Sequence, residues 1–192
     1  MQFNHIQTKF LGKNYYYYDE IDSTQKEIWR LYNKNNIKNG TLVSAGIQTA
    51  GKGTKGRVWH TDEKNNIAFS FFIKMDCKVE KIQGITIQIA ETILEILEKD
   101  YQILLEIKPP NDIFYHHKKI GGILTQSKVF SGRVKALVVG IGLNTSQEVF
   151  HSEIQDIATS IKKEFSITIN SEEFITAFCK KFEEKIIERI EN

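Results

Sequence analysis

The chain contains 192 residues, 41% hydrophobic and 11% aromatic, which is enough for one well-packed core but too little for two comfortable domains. Its 26 Lys and Arg residues nearly balance 24 Asp and Glu residues, and the net charge of +2 argues against a polybasic nucleic-acid binder. No run approaches the roughly 18 apolar residues of a membrane helix, and Cys77 and Cys179 lack disulfide-framework or zinc-site spacing, so we expect a cytoplasmic protein with buried thiols.

The predicted elements alternate between strands and helices, which is typical of a mixed sheet that carries helices. Residues 1–5 lack a charged region followed by an apolar core, so no signal peptide is expected. Runs rich in β-branched and aromatic residues predict strands over these ranges: 15–18, 41–48, 67–74, 103–108, 112–115, 120–128 and 134–143. His116 and His117 form a turn between two of them. Because no histidine has metal-ligand spacing, we do not expect a metal bound by protein alone.

Helical spacing of apolar residues predicts helices in three places. The first follows Asp22, where Thr24 and Glu27 have the spacing of a capping box. The second covers residues 83–99 and packs an amphipathic face on the sheet. Ser171 is expected to cap the third helix. That helix carries a core-facing stripe: Phe174, Phe178, Phe182, Ile186 and Ile190.

A glycine-rich segment, Gly-Lys-Gly-Thr-Lys-Gly at 51–56, satisfies the dinucleotide-binding pattern GxGxxG. No helix opens at its third glycine and no Gly-Lys-Ser/Thr closes it, so neither a Rossmann nor a Walker A loop is predicted. Lys52, Lys55 and Arg57 supply cations beside glycines that let the backbone approach an anion. Trp59 follows as a natural platform for a nucleobase. The alternative on composition alone is a solvated surface hairpin.

Both prolines of the chain lie in a second unusual segment, Lys-Pro-Pro-Asn-Asp at 108–112. Consecutive prolines interrupt strand pairing and hold the polar ends of the segment in fixed directions. The alternative is a rigid turn with solvated ends. Gly121 and Gly122 then interrupt a strand, as do Gly140 and Gly142, which leave one face of their strand bare. Glycines of this kind indicate that a ligand or another group needs the space beside the backbone.

These features belong to five ordered segments that together resemble the catalytic domain of biotin protein ligases. The segments are residues 22–25, 48–59, 108–112, 119–124 and 140–144. The resemblance implies an α+β fold of the class II synthetase-like type, with a mixed, largely antiparallel β-sheet and helices packed on it. It also implies one catalytic domain over 1–192, with a motif-bearing core at 15–146 and a C-terminal helical segment at 152–192.

The resemblance implies a two-step, ATP-dependent reaction. The carboxylate of biotin attacks the α-phosphate of ATP, pyrophosphate leaves, and biotinyl-5′-AMP forms. A lysine of a biotin carboxyl carrier protein or domain, as in acetyl-CoA carboxylase, then takes the biotinyl group. Mg²⁺ is expected to enter with the ATP phosphates.

Site residues follow from the matching positions. Biotin contacts are implied for Ser23, Thr24, Gln25, Gln48, Gly51, Lys119, Gly121, Gly122 and Leu124. ATP or adenylate contacts are implied for Lys52, Gly53, Thr54, Lys55, Gly56, Arg57, Trp59, Lys108, Asn111, Asp112 and Asn144. Lys119, Asp112 and Arg57 are the implied catalytic residues: Lys119 stabilises charge at the α-phosphate, and Asp112 steers the acceptor lysine or a Mg²⁺ held mainly by ATP.

The sequence departs from the family pattern at several points. Lys52 and Thr54 stand where arginines are common, so we expect weaker retention of the adenylate. Pro109 replaces a tryptophan. From the short segment before the first motif and the helix predicted at the end of the sequence, we expect neither the winged helix-turn-helix nor the β-barrel of larger relatives, and no DNA binding.

Two alternative functions and one oligomeric state are also compatible with the sequence. A lipoate or octanoate ligase or transferase shares the fold and the catalytic lysine, and a non-catalytic biotin or adenylate sensor retains the pocket. A homodimer through a sheet edge is common in such domains.

Overall fold

The computed structural model describes residues 6–61, 64 and 66–191, which form a mixed sheet with helices on both faces. Residues 1–5, the basis of the signal-peptide expectation, lie outside the described residues. The strands are β1 (Tyr15–Ile21), β2 (Leu42–Lys52), β3 (Val58–Thr61), β4 (Ile67–Lys78), β5 (Glu106–Lys108), β6 (Asp112–Tyr115), β7 (Lys118–Phe130) and β8 (Arg133–Leu143). Their order is β1-β2-β4-β8-β7-β6-β5, and β3 pairs with β2. The β1–β2 pair is parallel and the other strand pairs described are antiparallel, which confirms the mixed, largely antiparallel sheet.

One face of the sheet carries the larger core. The helices are α1 (Thr24–Asn33), α2 (Ile85–Tyr101), α3 (Ile161–Phe165) and α4 (Ser171–Glu191). Helices α2 and α4 pack on this face, where Phe69 lies 5.4 Å from Phe178 and Phe71 lies 5.6 Å from Phe182, measured between ring centroids. The predicted stripe of α4 is therefore buried at 174, 178, 182 and 186. The side chain of Ile190 lies outside the described residues.

The opposite face is only partly covered, and this leaves room for a site. Helix α1 packs Ile28 and Leu31 against Phe72 and Val138 in a smaller core. Beyond the N-terminus of α1, the same face of β4 and β8 carries Ser and Gly instead of large apolar residues. The position at which α1 begins thus separates a packed half of this face from an open half.

The predicted helix caps are each one residue too late. Ser23 caps α1, because its Oγ accepts a hydrogen bond from the backbone N–H of Lys26 at 3.4 Å, whereas Thr24 is already helical. Asn170 caps α4, because its Oδ1 accepts from two backbone N–H groups of the first turn at 2.9 and 3.2 Å, and Ser171 is the first helical residue. A cap must precede the helix, and in each case the preceding residue is an equally good cap.

The glycine-rich segment forms a hairpin rather than a free loop. Strand β2 continues through Gly51 to Lys52, a short 3-10 turn covers Thr54–Gly56, and β3 returns alongside β2. Residues 62, 63 and 65, which follow β3, lie outside the described residues. The strand predicted at 103–108 is shorter than expected and forms only at Glu106–Lys108. Helix α3 lies within the C-terminal helical segment expected at 152–192, but no separate helix was predicted there.

A carboxylate joins the two ends of the chain. Glu183 of α4 is 4% exposed, and its side chain accepts hydrogen bonds from the backbone N–H groups of Lys9, Phe10 and Leu11. The two cysteines are buried and free, which confirms the expectation for the thiols. Among the described residues, no helix is both long enough and apolar enough to span a membrane.

Candidate functional site

A cavity occupies the open half of the sheet face beside α1. Its floor is a band of small or polar residues on neighbouring strands, since Ser70 pairs with Gly140, and Gly122 pairs with Gly142. Predicted site residues that line the cavity are Ser23, Thr24, Gln25, Gln48, Lys52, Gly53, Thr54, Arg57, Trp59, Asn111, Lys119, Gly122, Leu124 and Asn144. Those that do not line it are Gly51, Lys55, Gly56, Lys108, Asp112 and Gly121.

The closed end of the cavity is a buried polar network between α1 and the sheet. The Gln48 side-chain oxygen accepts from the Thr24 backbone N–H at 2.9 Å and from the Thr24 hydroxyl at 3.1 Å. The Thr24 hydroxyl also lies 2.8 Å from the Ser70 hydroxyl, and Gln48 Nε2 donates to Thr61 Oγ1 at 3.3 Å. A sheet residue thereby satisfies an N–H group at the start of the helix that a terminal turn would otherwise leave unpaired.

The start of α1 is also fixed by charge. Asp22 accepts hydrogen bonds from Arg30 at 2.6 Å and Lys26 at 3.1 Å, and from the backbone N–H of Ser23 at 2.8 Å. These donors, chiefly Arg30, lower the pKa of the Asp22 carboxyl to about 2. Asp22, which directly precedes the Ser23 cap, is therefore ionised at neutral pH beside the positive end of the helix dipole.

The floor glycines make space for Trp59. A Cβ atom at Gly142 would lie 2.3 Å from the indole, and one at Gly122 would lie 3.1 Å from it. The prediction that a group needs the space beside these glycines is confirmed, and in this structure that group is a tryptophan of the chain itself. Gly121 faces the other way, where a Cβ would lie 2.5 Å from Leu143 in the core. Gly121 therefore does not line the cavity, because neighbouring residues of a strand point to opposite faces, and its implied biotin contact stays a prediction.

Lys119 lies in the middle of the cavity wall and is held from several sides. Its ammonium is 2.7 Å from Asp112 Oδ1 and 5.6 Å from the centroid of the Trp59 ring. Its backbone N–H donates to the carbonyl of Ile157 at 2.8 Å, and its carbonyl accepts from Thr159 at 2.9 Å. Asp112 does not line the cavity, so it orients the Lys119 side chain through the ion pair and does not itself face the cavity.

The two prolines form a tight connection between β5 and β6. Lys108 and Asp112 pair across it, and Asn111 Nδ2 donates to the carbonyl of Ile123 at 3.2 Å. The ammonium of Lys108 lies 4.6 Å from the Phe114 ring centroid, outside the cavity lining. The segment is the predicted rigid turn, and Asn111 is its member that reaches the cavity.

At the mouth of the cavity, the hairpin contributes exposed cations. Arg57 donates to the Thr54 hydroxyl at 3.0 Å, and Lys52, Thr54 and Arg57 line the opening. Lys55 has a positive φ of 56° and lies in the outer turn, away from the lining. Gly51 has a structural task, since a Cβ there would lie 2.3 Å from the carbonyl of Trp59 on the paired strand. The segment is therefore a surface hairpin that also presents cations to the cavity, so the two interpretations of the sequence are compatible.

A covering segment at 147–158 contributes to the cavity lining and contacts β3 of the hairpin, and sequence reasoning missed it. Its lining residues are Gln147, Phe150, Ile154, Ile157 and Ala158. Asn66 orders its start, because Asn66 Oδ1 accepts from the backbone N–H groups of residues 145–147 and Nδ2 donates to Gln147. The ring centroids of His60 and His151 lie 4.8 Å apart and connect the segment to β3. The available sequence signal was a group of apolar residues in a stretch that shows neither the helical nor the strand periodicity.

Asn144, directly after β8, links the residue that follows the covering segment to the strands of the cavity floor. Its Nδ2 donates to the carbonyl of Thr159 at 3.1 Å, and its backbone N–H donates to the carbonyl of Ile120 at 2.8 Å. Within 6–61, 64 and 66–191, no cluster of His, Cys, Asp or Glu is suited to hold a metal ion. The cavity thus runs from a buried, neutral polar end, past apolar side chains and Lys119, to exposed cations at the mouth.

The fold and this cavity define a small-molecule-binding α+β domain with an anion-attracting mouth. The model of the Biotin/lipoate A/B protein ligase family matches residues 17–144, and the chain belongs to this family. The family prediction made from the five segments is confirmed.

Individual relatives fit this assignment. The chain is 38% identical over 160 residues to the bifunctional ligase/repressor BirA of Bacillus subtilis (strain 168), covering 82% of this chain and 49% of that protein. It spans about half the length of the curated relatives of this kind. The structure of the Aquifex aeolicus biotin protein ligase in complex with biotin and ATP superposes with a TM-score of 0.72 at 27% identity, covering 93% of this chain and 71% of that one. P. falciparum LipL1 in complex with lipoate shares the fold at 15% identity and a TM-score of 0.57.

Proposed function

We propose that the chain uses ATP to attach biotin to a lysine of a biotin carboxyl carrier protein or domain, through biotinyl-5′-AMP. The single observation that carries the proposal is the order of groups along the cavity. A buried network at Thr24 and Gln48 suits a neutral polar ring, and Lys119 stands between that end and the cationic mouth. A ligand with a polar ring, an apolar chain and a carboxylate fits this order, with nucleotide phosphates at the mouth.

In the first step, a carboxylate oxygen of biotin attacks the α-phosphorus of ATP, and the bond to the pyrophosphate oxygen breaks. The Lys119 ammonium offsets the negative charge that accumulates on the phosphoryl oxygens. Asp112 holds that ammonium in place through its 2.7 Å ion pair. Lys52 and Arg57 attract the phosphates to the mouth.

Mg²⁺ would enter with ATP, whose phosphate oxygens supply ligands that this hard cation prefers. It would offset phosphate charge during adenylation. Asp112 is the predicted protein contact, but its Oδ1 is paired with Lys119. The donors present therefore fit a cation held mainly by the nucleotide.

In the second step, the neutral ε-amine of the carrier lysine attacks the carbonyl carbon of biotinyl-5′-AMP. The bond to the phosphate oxygen breaks, AMP leaves, the attacking nitrogen loses a proton to solvent, and an amide remains. Trp59 and the covering segment shield the mixed anhydride from water while the carrier approaches. The reaction needs no covalent bond to this chain.

The partner is a carrier domain that presents a lysine, and the location is the cytoplasm. The free, buried thiols of Cys77 and Cys179 support a reducing compartment.

The test is pyrophosphate release with ATP and either biotin, lipoate or octanoate. In the presence of ATP, we expect pyrophosphate release with biotin but not with lipoate or octanoate. Transfer of the biotinyl group should appear as a mass increase on a biotin carboxyl carrier domain. Release with lipoate at the same rate would replace the proposal with the lipoate ligase alternative. Tight biotin binding without pyrophosphate release would replace it with the sensor alternative.

A further inference from the structure

A chain of hydrogen bonds runs from the surface to the closed end of the cavity. Trp29 and Gln25 lie four residues apart on α1, so their side chains share one face of the helix. Trp29 Nε1 donates to Gln126 Oε1 at 2.7 Å, and Gln25 Nε2 donates to the same oxygen at 3.1 Å. Gln25 Nε2 also lies 3.4 Å from the carbonyl of Val138.

The donors and acceptors fix the direction of this chain. An indole N–H can only donate, so Gln126 must turn its amide oxygen toward Trp29. That oxygen then requires a donor from Gln25, and the carbonyl of Val138 requires the same. Gln25 must therefore present its amide nitrogen outward and its amide oxygen to the cavity.

The oxygen that results has no partner in the part of the chain that the structure describes. Gln25 is 4% exposed, and its Oε1 is buried without a hydrogen bond. It points at Gly140, where a Cβ atom would lie only 2.6 Å away, and both residues line the cavity. Buried acceptors are rarely left unpaired, so this one indicates a ligand that brings a donor.

We propose that Trp29 and Gln126 are positioning residues that orient Gln25 so that this end of the cavity selects a ligand ring carrying an N–H group. This inference rests on the proposed function, in which that ring is the ureido ring of biotin. The dithiolane ring of lipoate has no N–H group and would leave Gln25 Oε1 unpaired. Gln126 is exposed and does not line the cavity. A residue outside the cavity thus sets the selection between rings with an N–H group and rings without one.

The experiment compares Gln126→Leu with Gln126→Glu in the full chain. Leucine removes the acceptor and frees Gln25 to rotate, so the KM for biotin should rise about tenfold, while kcat and the KM for ATP stay within about twofold. Glutamate is an acceptor-only group that receives both N–H donors, so it should restore a KM close to that of the unaltered chain. Trp29→Phe should raise the KM in the same direction by a smaller factor. Lys128→Leu, exposed two residues further along β7, is the matched control.

Each outcome decides the inference. A Gln126→Leu chain with an unchanged KM for biotin, or a Gln126→Glu chain as impaired as Gln126→Leu, overturns it. The ratio of the binding affinities for biotin and lipoate, measured by calorimetric titration, should also fall about tenfold in Gln126→Leu. Calorimetric titration of the same variants with biotin measures the dissociation constant for biotin in the absence of turnover. Absence of adenylation in the unaltered chain therefore overturns the proposed function while the positioning role is still decided.

Discussion

The two ends of the cavity are built on different principles. At the closed end, Thr24, Gln48 and Ser70 are buried and bonded to one another at distances of 2.8 to 3.1 Å. At the mouth, Lys52 and Arg57 are exposed on a two-stranded hairpin. Hydrogen bonds between buried groups discriminate strongly between ligands, whereas exposed charges are screened by water and salt. The closed end therefore decides which ring enters, and the mouth contributes attraction for phosphate.

Lys119 stands between these ends, and its loss should have the largest effect. Lys119→Ala removes the cation nearest the proposed α-phosphate position, so pyrophosphate release should fall about 10²- to 10³-fold. Lys118→Ala, the preceding residue outside the lining, should retain normal release, and thermal unfolding should show that both chains fold. Near-normal release by Lys119→Ala would end the catalytic assignment.

The floor glycines separate the two ends directly. A methyl group at Gly140 would meet Gln25 Oε1 at 2.6 Å, and one at Gly142 would meet the Trp59 ring at 2.3 Å. Gly140→Ala should therefore raise the KM for biotin about tenfold, and Gly142→Ala should raise the KM for ATP by a similar factor. Steady-state kinetics with each substrate varied in turn measures this split. If both variants affect both substrates equally, the cavity does not have two independent ends.

A smaller effect, slower release of the bound adenylate, is expected from a substitution at the mouth. Thr54→Arg adds a bidentate donor beside the proposed phosphates, so release of the bound adenylate should slow by roughly threefold to tenfold. A stopped-flow chase with excess unlabelled biotin measures the release rate. Thr54→Lys adds charge without the planar fork and should slow release less. An unchanged rate in Thr54→Arg would contradict the expectation of weak retention.

The smallest effect concerns the start of α1. Arg30 and Lys26 lower the pKa of Asp22 to about 2, so the ionised carboxylate favours the folded state. That contribution is present above the unfolded pKa, near 4, and disappears as the pH falls toward 2. Asp22→Asn should be less stable by under about 1 kcal/mol at pH 7, because the group is partly exposed. Urea unfolding at pH 7 and pH 3 should show the difference shrinking at the lower pH, and Glu20→Gln should show little difference at either pH.

The sequence predicted elements with strong local patterns and missed choices that depend on neighbours. The stripe of α4 and the paired glycines were predictable, because period and side-chain volume are local properties. Ser23 and Thr24 are both good caps, so which one precedes the helix depends on where β1 ends. Gly121 and Gly122 differ only in the face that each presents, which depends on the register with β8.

Long-range features were beyond a local pattern. The covering segment at 147–158 has no helical or strand period, and its position depends on Asn66, which is distant in the chain. The roles of the individual site residues in binding and catalysis stay predictions. What the structure adds is their arrangement along one cavity.

The bond between Glu183 and the backbone of residues 9–11 makes the docking of α4 measurable. Those three amides belong to no strand or helix, so α4 supplies their protection from solvent exchange. Their hydrogen-exchange rates would therefore report undocking of the last helix, while amides of β4 and β8 would report opening of the sheet. Similar rates in the two groups would mean that both ends of the chain and the sheet open as one cooperative unit.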